Sequence, residues 1–178
     1  MISARIKEKA RHIRLLALDV DGVLTDGRLY FAEDGSELKT FDTQDGHGIK
    51  MLQKAGIQVV IITGRTTQLV AKRAQNLGIT HLIQGREDKL VALREVCASQ
   101  GIDIDEAAYV GDDWPDLPAI LACGLGIAVS NAHTELRSRA DHVTTLSGGR
   151  GAVREICDLI LQAQDFYGDC LAPYLDTH

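Results

Sequence analysis

The sequence predicts an α/β fold, with a central parallel sheet between two layers of helices. Three observations carry this. Short apolar runs recur along the chain, amphipathic segments separate them, and acidic or hydroxyl residues close several of the runs. Unbroken apolar runs suit strands covered on both faces. Strands that alternate with helices pair in parallel, and a ligand site then lies beyond their carboxyl ends.

The first strand is Leu15–Val20, which ends in acids, and the second is Val59–Thr63, rich in β-branched residues. His81–Gln84, Ala108–Gly111, Gly126–Val129 and His142–Thr144 read as further strands. Helical spacing links Ile49, Leu52 and Ala55, then Leu90, Leu93 and Cys97, then Val153, Ile156, Ile160 and Ala163. Gly56 and Gly78 stand where helices end. Trp114-Pro115 reads as a helix start with proline in the first turn. The alternation makes a Rossmann-like three-layer sandwich. One stretch interrupts it. Residues 27–41 read as a β-hairpin flap after the first strand, turning at Glu33-Asp34-Gly35. The expected organisation is one domain, residues 1–178, with the flap at 27–41 and a C-terminal tail at 165–178.

Composition narrows the function classes. Apolar residues are 45% and charged residues 25% of the 178, a normal balance for a soluble globular protein. No apolar run approaches the roughly 18 residues of a membrane helix. The basic segment Met1–Arg14 lacks the continuous apolar stretch of a secretory signal. Cys97, Cys123, Cys157 and Cys170 form no C-x-x-C pair, which predicts free thiols in a reducing cytoplasm. A net charge of −6 without a basic cluster argues against nucleic acid as a partner.

The strand ends bring one set of chemical groups to one sheet edge. Asp19 and Asp21 are two residues apart on an extended chain and share a side. Thr63-Gly64-Arg65 ends the second strand, Lys89 opens the helix after the third, and Asp112, Asp113 and Asp116 follow the fourth. Crowded carboxylates call for a cation, and carboxylate oxygens in an open site suit Mg²⁺. Asp19 is placed as a nucleophile toward phosphorus and Asp21 as general acid and base. Thr63, the N–H groups near Gly64, and Lys89 would hold the phosphoryl oxygens.

Asp19-Val-Asp-Gly-Val-Leu-Thr-Asp, Ile62-Thr-Gly-Arg, Lys89 and Gly111-Asp-Asp-Trp-Pro-Asp, in this order, resemble the four motifs of the haloacid dehalogenase superfamily. Within it the chain resembles the small capless phosphatases over roughly residues 10–165. The resemblance implies a fold with no cap domain and a Mg²⁺ held by Asp19, the Val20 carbonyl and Asp112. Asp113 and Asp116 would orient ligands or pair with Lys89. Substrate contacts are implied for Asp21, Asp42, Thr43, Gln44, Asp45, Gly46, Lys50, Gly64, Arg65, Arg73 and Lys89. The family pattern over residues 42–46 is Asn-Val-Arg-Asp-Gly, from which the chain departs at Asp42 and Gln44.

The implied substrate is a small anionic phosphosugar, the terminal phosphate ester of an acidic sugar. A nine-carbon sialic-type sugar-acid phosphate is the alternative within the same chemistry. From another class, a non-catalytic assembly module or a phosphate-accepting receiver would also use an Asp, a Thr and a Lys. A receiver has no need of Asp21, and an inert module no need of all four motifs. Six of the eight aromatics lie in the hairpin (Tyr30, Phe31, Phe41) or at the end of the last helix and in the tail (Phe166, Tyr167, Tyr174). They need a surface to cover. With the resemblance, this implies a homotetramer in which neighbouring hairpins and tails close the site.

Overall fold

The computed structural model describes residues 2–175. Its main sheet consists of β1 (Leu15–Leu18), β4 (Gln58–Thr63), β5 (His81–Gln84), β6 (Ala107–Gly111), β7 (Leu125–Ala128) and β8 (His142–Val143). Two short strands, β2 (Tyr30–Phe31) and β3 (Glu37–Leu38), form a separate hairpin. The helices are α1 (Ala4–Arg11), α2 (Thr43–Lys54), α3 (Gln68–Leu77), α4 (Lys89–Gln100), α5 (Leu117–Ala122), α6 (Thr134–Arg139), α7 (Ala152–Ala163) and α8 (Tyr167–Leu171).

The strand order is β5-β4-β1-β6-β7-β8, and every pairing in this sheet is parallel. Helices α1, α2, α3 and α7 pack together, while α4 packs with α5, as right-handed crossovers on two faces require. The predicted α/β sandwich is therefore the observed fold. β1 and β6 are buried at every position, which is why they read as plain apolar runs.

Local chemistry sets the helix ends. Gly56 and Gly78 adopt φ of +87° and +71° after α2 and α3, where a left-handed residue closes a helix. Trp114-Pro115 opens a 3₁₀ turn that continues into α5. The hairpin is shorter than the 27–41 reading, pairing only Tyr30 with Leu38 and Phe31 with Glu37. Its strands bury little: Phe31 and Leu38 are 64% and 61% exposed, and an isolated two-stranded ribbon has little else to extend it. The turn falls at the expected place, with Gly35 at φ +82° and Asp34 accepting from the Ser36 N–H at 2.9 Å.

One element starts earlier than expected. The helical spacing begins at Ile49, but α2 already begins at Thr43. Asp42 caps it by accepting from the Gln44 and Asp45 N–H groups at 2.7 and 3.2 Å. His47 therefore lies within the helix and meets Tyr174 edge-on at 5.7 Å. Gly46 and Gly48 are tolerated there because α2 is tightly packed. A Cβ on Gly48 would lie 2.9 Å from Arg154 Cδ of α7. Among the described residues no helix is long and apolar enough to cross a membrane. The four cysteines are unpaired, three of them buried. Of the 165–178 tail, residues 176–178 lie outside the described residues.

Candidate active site

β1 and β6 deliver Asp19 and Asp112 to adjacent points of the sheet edge. Leu18 pairs with Val110, and the Asp19 N–H donates to the Val110 carbonyl at 3.1 Å. From β1 the chain runs outward through β4 and β5, then returns to β6 and runs the other way through β7 and β8. A reversal of this kind opens a crevice at the carboxyl ends of the two central strands. Both carboxylates stand in it.

The turn after β1 is shaped by Gly22 and Thr25. The Thr25 hydroxyl accepts from the Gly22 and Gly27 N–H groups at 3.3 and 3.2 Å. Gly22 has φ +92°, and a Cβ there would lie 2.0 Å from Asp112 Oδ2. Conformation and close approach both demand glycine. The segment Gly148-Gly149 packs onto this turn, and a Cβ on Gly148 would lie 1.8 Å from the Gly22 carbonyl oxygen. Asn131 joins the two segments. It donates to the Gly22 carbonyl at 3.1 Å and accepts from the Gly148 N–H at 2.6 Å. These glycines buttress the turn that carries Asp19 and Asp21.

The same turn corrects the expected backbone ligand. The Val20 carbonyl accepts from the Val23, Leu24 and Thr25 N–H groups at 3.2, 2.9 and 3.0 Å, and from the Thr25 hydroxyl at 3.4 Å. A carbonyl oxygen has two lone pairs, and these donors leave none for a metal. The Gly22 carbonyl is held by Asn131. The Asp21 carbonyl accepts no hydrogen bond among the described residues, so its lone pairs stay open.

Lys89 and Asp116 form the floor. Lys89 is 4% exposed, and its Nζ lies 2.9 Å from Asp19 Oδ1 and 2.9 Å from Asp116 Oδ1. Burial pulls the Lys89 pKa down, but Asp19 and Asp116 outweigh it and leave the ammonium above its ordinary value. Asp116 Oδ1 also accepts from the Tyr109 hydroxyl at 2.8 Å, and Oδ2 accepts from the Asp112 and Asp113 N–H groups at 3.0 and 3.3 Å. Asp113 turns its own carboxylate to the Trp114 N–H at 2.9 Å and forms no pair with Lys89.

Asp19, Asp112 and Asp116 bring carboxylate oxygens within 4.8 Å of one another. Asp116 is already committed at both oxygens, so Asp19 and Asp112 are the pair able to hold a cation. Burial, then Asp116, raises Asp19 to about 7 against the opposing pull of Lys89. Burial, then Asp19, raises Asp112 to about 7. A buried and a half-buried carboxylate that resist ionising side by side are a hard-oxygen donor set suited to a divalent cation.

The resulting cleft, about 280 Å³, is lined by Asp19, Asp21, Thr63, Gly64, Arg65, Lys89, Asp112, Asp113 and Asp116. Thr63 is buried, and its hydroxyl accepts from the Arg65 N–H at 3.4 Å. Arg65 Nη2 pairs with Glu37 of the hairpin at 2.9 Å, while its Nη1 is buried with no partner among the described residues.

The remaining expected substrate contacts do not line this cleft. Asp42 spends its carboxylate on the α2 cap, and its carbonyl accepts from Arg73 at 2.8 Å. Arg73 also stacks on Phe41, 5.4 Å from the ring centre. Asp45 is 1% exposed and accepts from the Arg154 N–H of α7 at 2.8 Å. Burial raises its pKa to about 6. Gly46 packs on Arg73, where a Cβ would approach Nη2 to 2.6 Å. Thr43 and Gln44 are exposed in the first turn of α2. Lys50 borders a separate groove beside His47 and Tyr174. Within this segment, helix capping takes up Asp42 and α2–α7 packing takes up Asp45.

A family of haloacid dehalogenase-like hydrolases matches residues 81–156. The 3-deoxy-D-manno-octulosonate 8-phosphate phosphatase of Escherichia coli K12 is 51% identical over 163 residues, 92% of this chain and 87% of that protein. The chain belongs to the haloacid dehalogenase-like hydrolases, among their capless phosphatases. Two solved structures extend the likeness. The Moraxella catarrhalis 3-deoxy-D-manno-octulosonate 8-phosphate phosphatase, in complex with magnesium, phosphate and KDO, is 46% identical with a TM-score of 0.95. The match covers 97% of this chain and 99% of that one. The Yersinia pestis enzyme of the same name is 49% identical with a TM-score of 0.92, covering 93% and 90% of the two chains.

Other residues of this hydrolase reach the cleft without having been legible in its sequence. Gly27, Glu87 and Pro115 line it, and a Cβ on Gly64 would lie 2.5 Å from Glu87 Oε1. Lys39 contacts Asp21 from the hairpin. Its one local signal is the spacing Glu37-Leu38-Lys39, which puts two opposite charges on one side of an extended chain.

Proposed function

We propose that this chain is a Mg²⁺-dependent phosphomonoesterase that hydrolyses 3-deoxy-D-manno-octulosonate 8-phosphate to the free sugar acid and phosphate, through an aspartyl-phosphate, in lipopolysaccharide synthesis. The observation that carries the chemistry is the meeting of Asp19, Asp21, Lys89 and Asp112 in one cleft at the strand reversal. The substrate rests on the resemblance to the octulosonate phosphatases. A cationic Arg65 in the cleft, with one buried N–H group unpartnered, supports an acidic sugar.

In this reading the Asp19 carboxylate attacks phosphorus and the bond from phosphorus to the sugar oxygen breaks. Asp21 gives its proton to the departing alkoxide. It then takes a proton from the water that attacks the aspartyl-phosphate, which releases phosphate and restores Asp19. Lys89 pulls Asp19 toward its anionic form and, with Thr63 and the Gly64 N–H, offers donors to the phosphoryl oxygens. Asp19, Asp112 and the Asp21 carbonyl would hold the Mg²⁺, which supplies charge neutralisation at the phosphoryl group. The protein works as a single cytoplasmic phosphatase domain. In a homotetramer its exposed hairpin side chains, Phe31 and Leu38, and its tail residues Tyr174 and Leu175 would cover a neighbouring subunit.

Phosphate release from the octulosonate phosphate, a nine-carbon sialic-type acid phosphate and neutral hexose phosphates, with Mg²⁺ or EDTA, tests this reading. The octulosonate ester should be fastest, and EDTA should silence it. Faster turnover of the nine-carbon ester would move the substrate, and turnover in EDTA would remove the metal.

The raised carboxylates add a pH signature. Their folded pKa values, about 7 for Asp19 and Asp112, lie above the roughly 3.9 of an unfolded Asp. The folded state then binds more protons between about pH 4 and 7, so these two groups lower stability as pH rises through that window. Mg²⁺ competes with those protons. Its stabilising shift in Tm should therefore be small at pH 5 and grow to a plateau above pH 7. A shift independent of pH would contradict the Asp19–Asp112 site.

A further inference from the structure

The hairpin places one residue at the cleft that the chemistry above leaves without a task. The Lys39 side chain is 1% exposed, although Phe31 and Leu38 of the same hairpin are 64% and 61% exposed. A lysine normally keeps its ammonium in water along an apolar surface, and it is seldom buried unless paired. Here the ammonium bonds Asp21 Oδ1, 18 residues earlier in the chain, and lies 3.3 Å from Glu37 Oε1. Glu37 Oε2 in turn holds Arg65 Nη2 at 2.9 Å. Charges of alternating sign thus run from the turn after β1, through the hairpin, to the loop after β4.

We propose that Lys39 is a positioning residue that holds the Asp21 carboxylate in its working orientation and couples that orientation to the hairpin. The inference rests on the reading of Asp21 as general acid. An acid must lie within about 2.6–3.2 Å of the oxygen it protonates, and a misplacement of about 1 Å can cost on the order of 10²-fold in rate. Asp21 sits on a turn, half-buried, with its backbone in no helix or strand. Lys39 takes Oδ1, while Oδ2 accepts no hydrogen bond among the described residues and stays available to the leaving oxygen. Fixing a long lysine side chain costs rotamer entropy, which the two carboxylates at its end offset. Glu37 and Arg65 anchor the lysine from the other side, so opening of the hairpin would release Asp21.

The test compares two leaving groups. A sugar alkoxide needs a proton as it departs, whereas a p-nitrophenolate does not. Lys39→Met should lower kcat/KM for the sugar phosphate on the order of 10²-fold more than for p-nitrophenyl phosphate, with Mg²⁺ saturating. Lys39→Arg should recover part of that difference. Both substrates are assayed on the same preparation, so any misfolded fraction cancels from the ratio. Asp21→Asn, run alongside, reports the ratio with the acid gone. Equal losses on both substrates, or no loss on either, in Lys39→Met would overturn the inference while Asp21→Asn still shows the difference. An unchanged ratio in Asp21→Asn would overturn the reading of Asp21 itself, and the inference with it.

Discussion

Asp19→Asn is expected to remove phosphate release by on the order of 10⁴-fold or more, and to raise the Tm of the metal-free protein at neutral pH. Both effects have one origin. Asp19 is 7% exposed, and its pKa is pushed to about 7 by burial and by Asp116. An ionised carboxylate there costs stability that Lys89 offsets only in part until a metal cation joins the site. Asparagine keeps the shape and loses the charge. Lys89 keeps its contact with Asp116 at 2.9 Å, so the ammonium is not stranded. The amide cannot attack phosphorus and is a weaker ligand for a hard cation. Single-turnover phosphate release and thermal melting in EDTA measure the two outcomes. Retention of more than a small fraction of the activity would reject Asp19 as nucleophile, and a lower metal-free Tm would reject the electrostatic account.

Asp116→Ala is expected to cost about 3–5 kcal/mol of stability, the range for breaking a buried charge pair from one side. Asp116 is 1% exposed and holds four donors: Lys89, the Tyr109 hydroxyl, and the N–H groups of Asp112 and Asp113. Alanine leaves the buried tyrosine hydroxyl without its partner and frees the two part-buried N–H groups. Lys89 retains only Asp19. The two N–H groups belong to the segment that aims Asp112 at the metal position, so Mg²⁺ affinity should fall with stability. Urea denaturation, with Mg²⁺ binding followed by calorimetry, would test this. A loss below about 1 kcal/mol would contradict the claim that Asp116 is the anchor of the site, since buried pairs broken from one side cost more than that.

Asp19, Asp21, Thr63, Lys89 and Asp112 could be found from sequence for a simple reason. Each sits at or just beyond a strand end, or opens a helix, and strand ends of a parallel sheet share one edge. The partners of these residues were harder to see. Lys39 reaches Asp21 because the hairpin folds back, Asn131 bridges two turns distant in the chain, and Glu87 borders the cleft from the loop before α4. None lies in a local pattern that implies its contact. The Val20 carbonyl was misassigned because carbonyl direction depends on the turn drawn together by Gly22 and Thr25, not on residue type. Asp42, Asp45 and Arg73 were assigned to substrate on family resemblance. In this chain Asp42 caps α2, Asp45 bonds the Arg154 N–H and Arg73 bonds the Asp42 carbonyl, away from the cleft.

The sequence by itself determined the α/β class, the strands in outline and the acids that close them. Those features follow from period, run length and turn chemistry, which are local. Only the tertiary structure decided which of the clustered carboxylates remains free for a cation and which is spent as an anchor. It also decided which lysine serves which aspartate. That division is set by hydrogen-bond saturation and burial, and both depend on segments that meet only when the chain is folded.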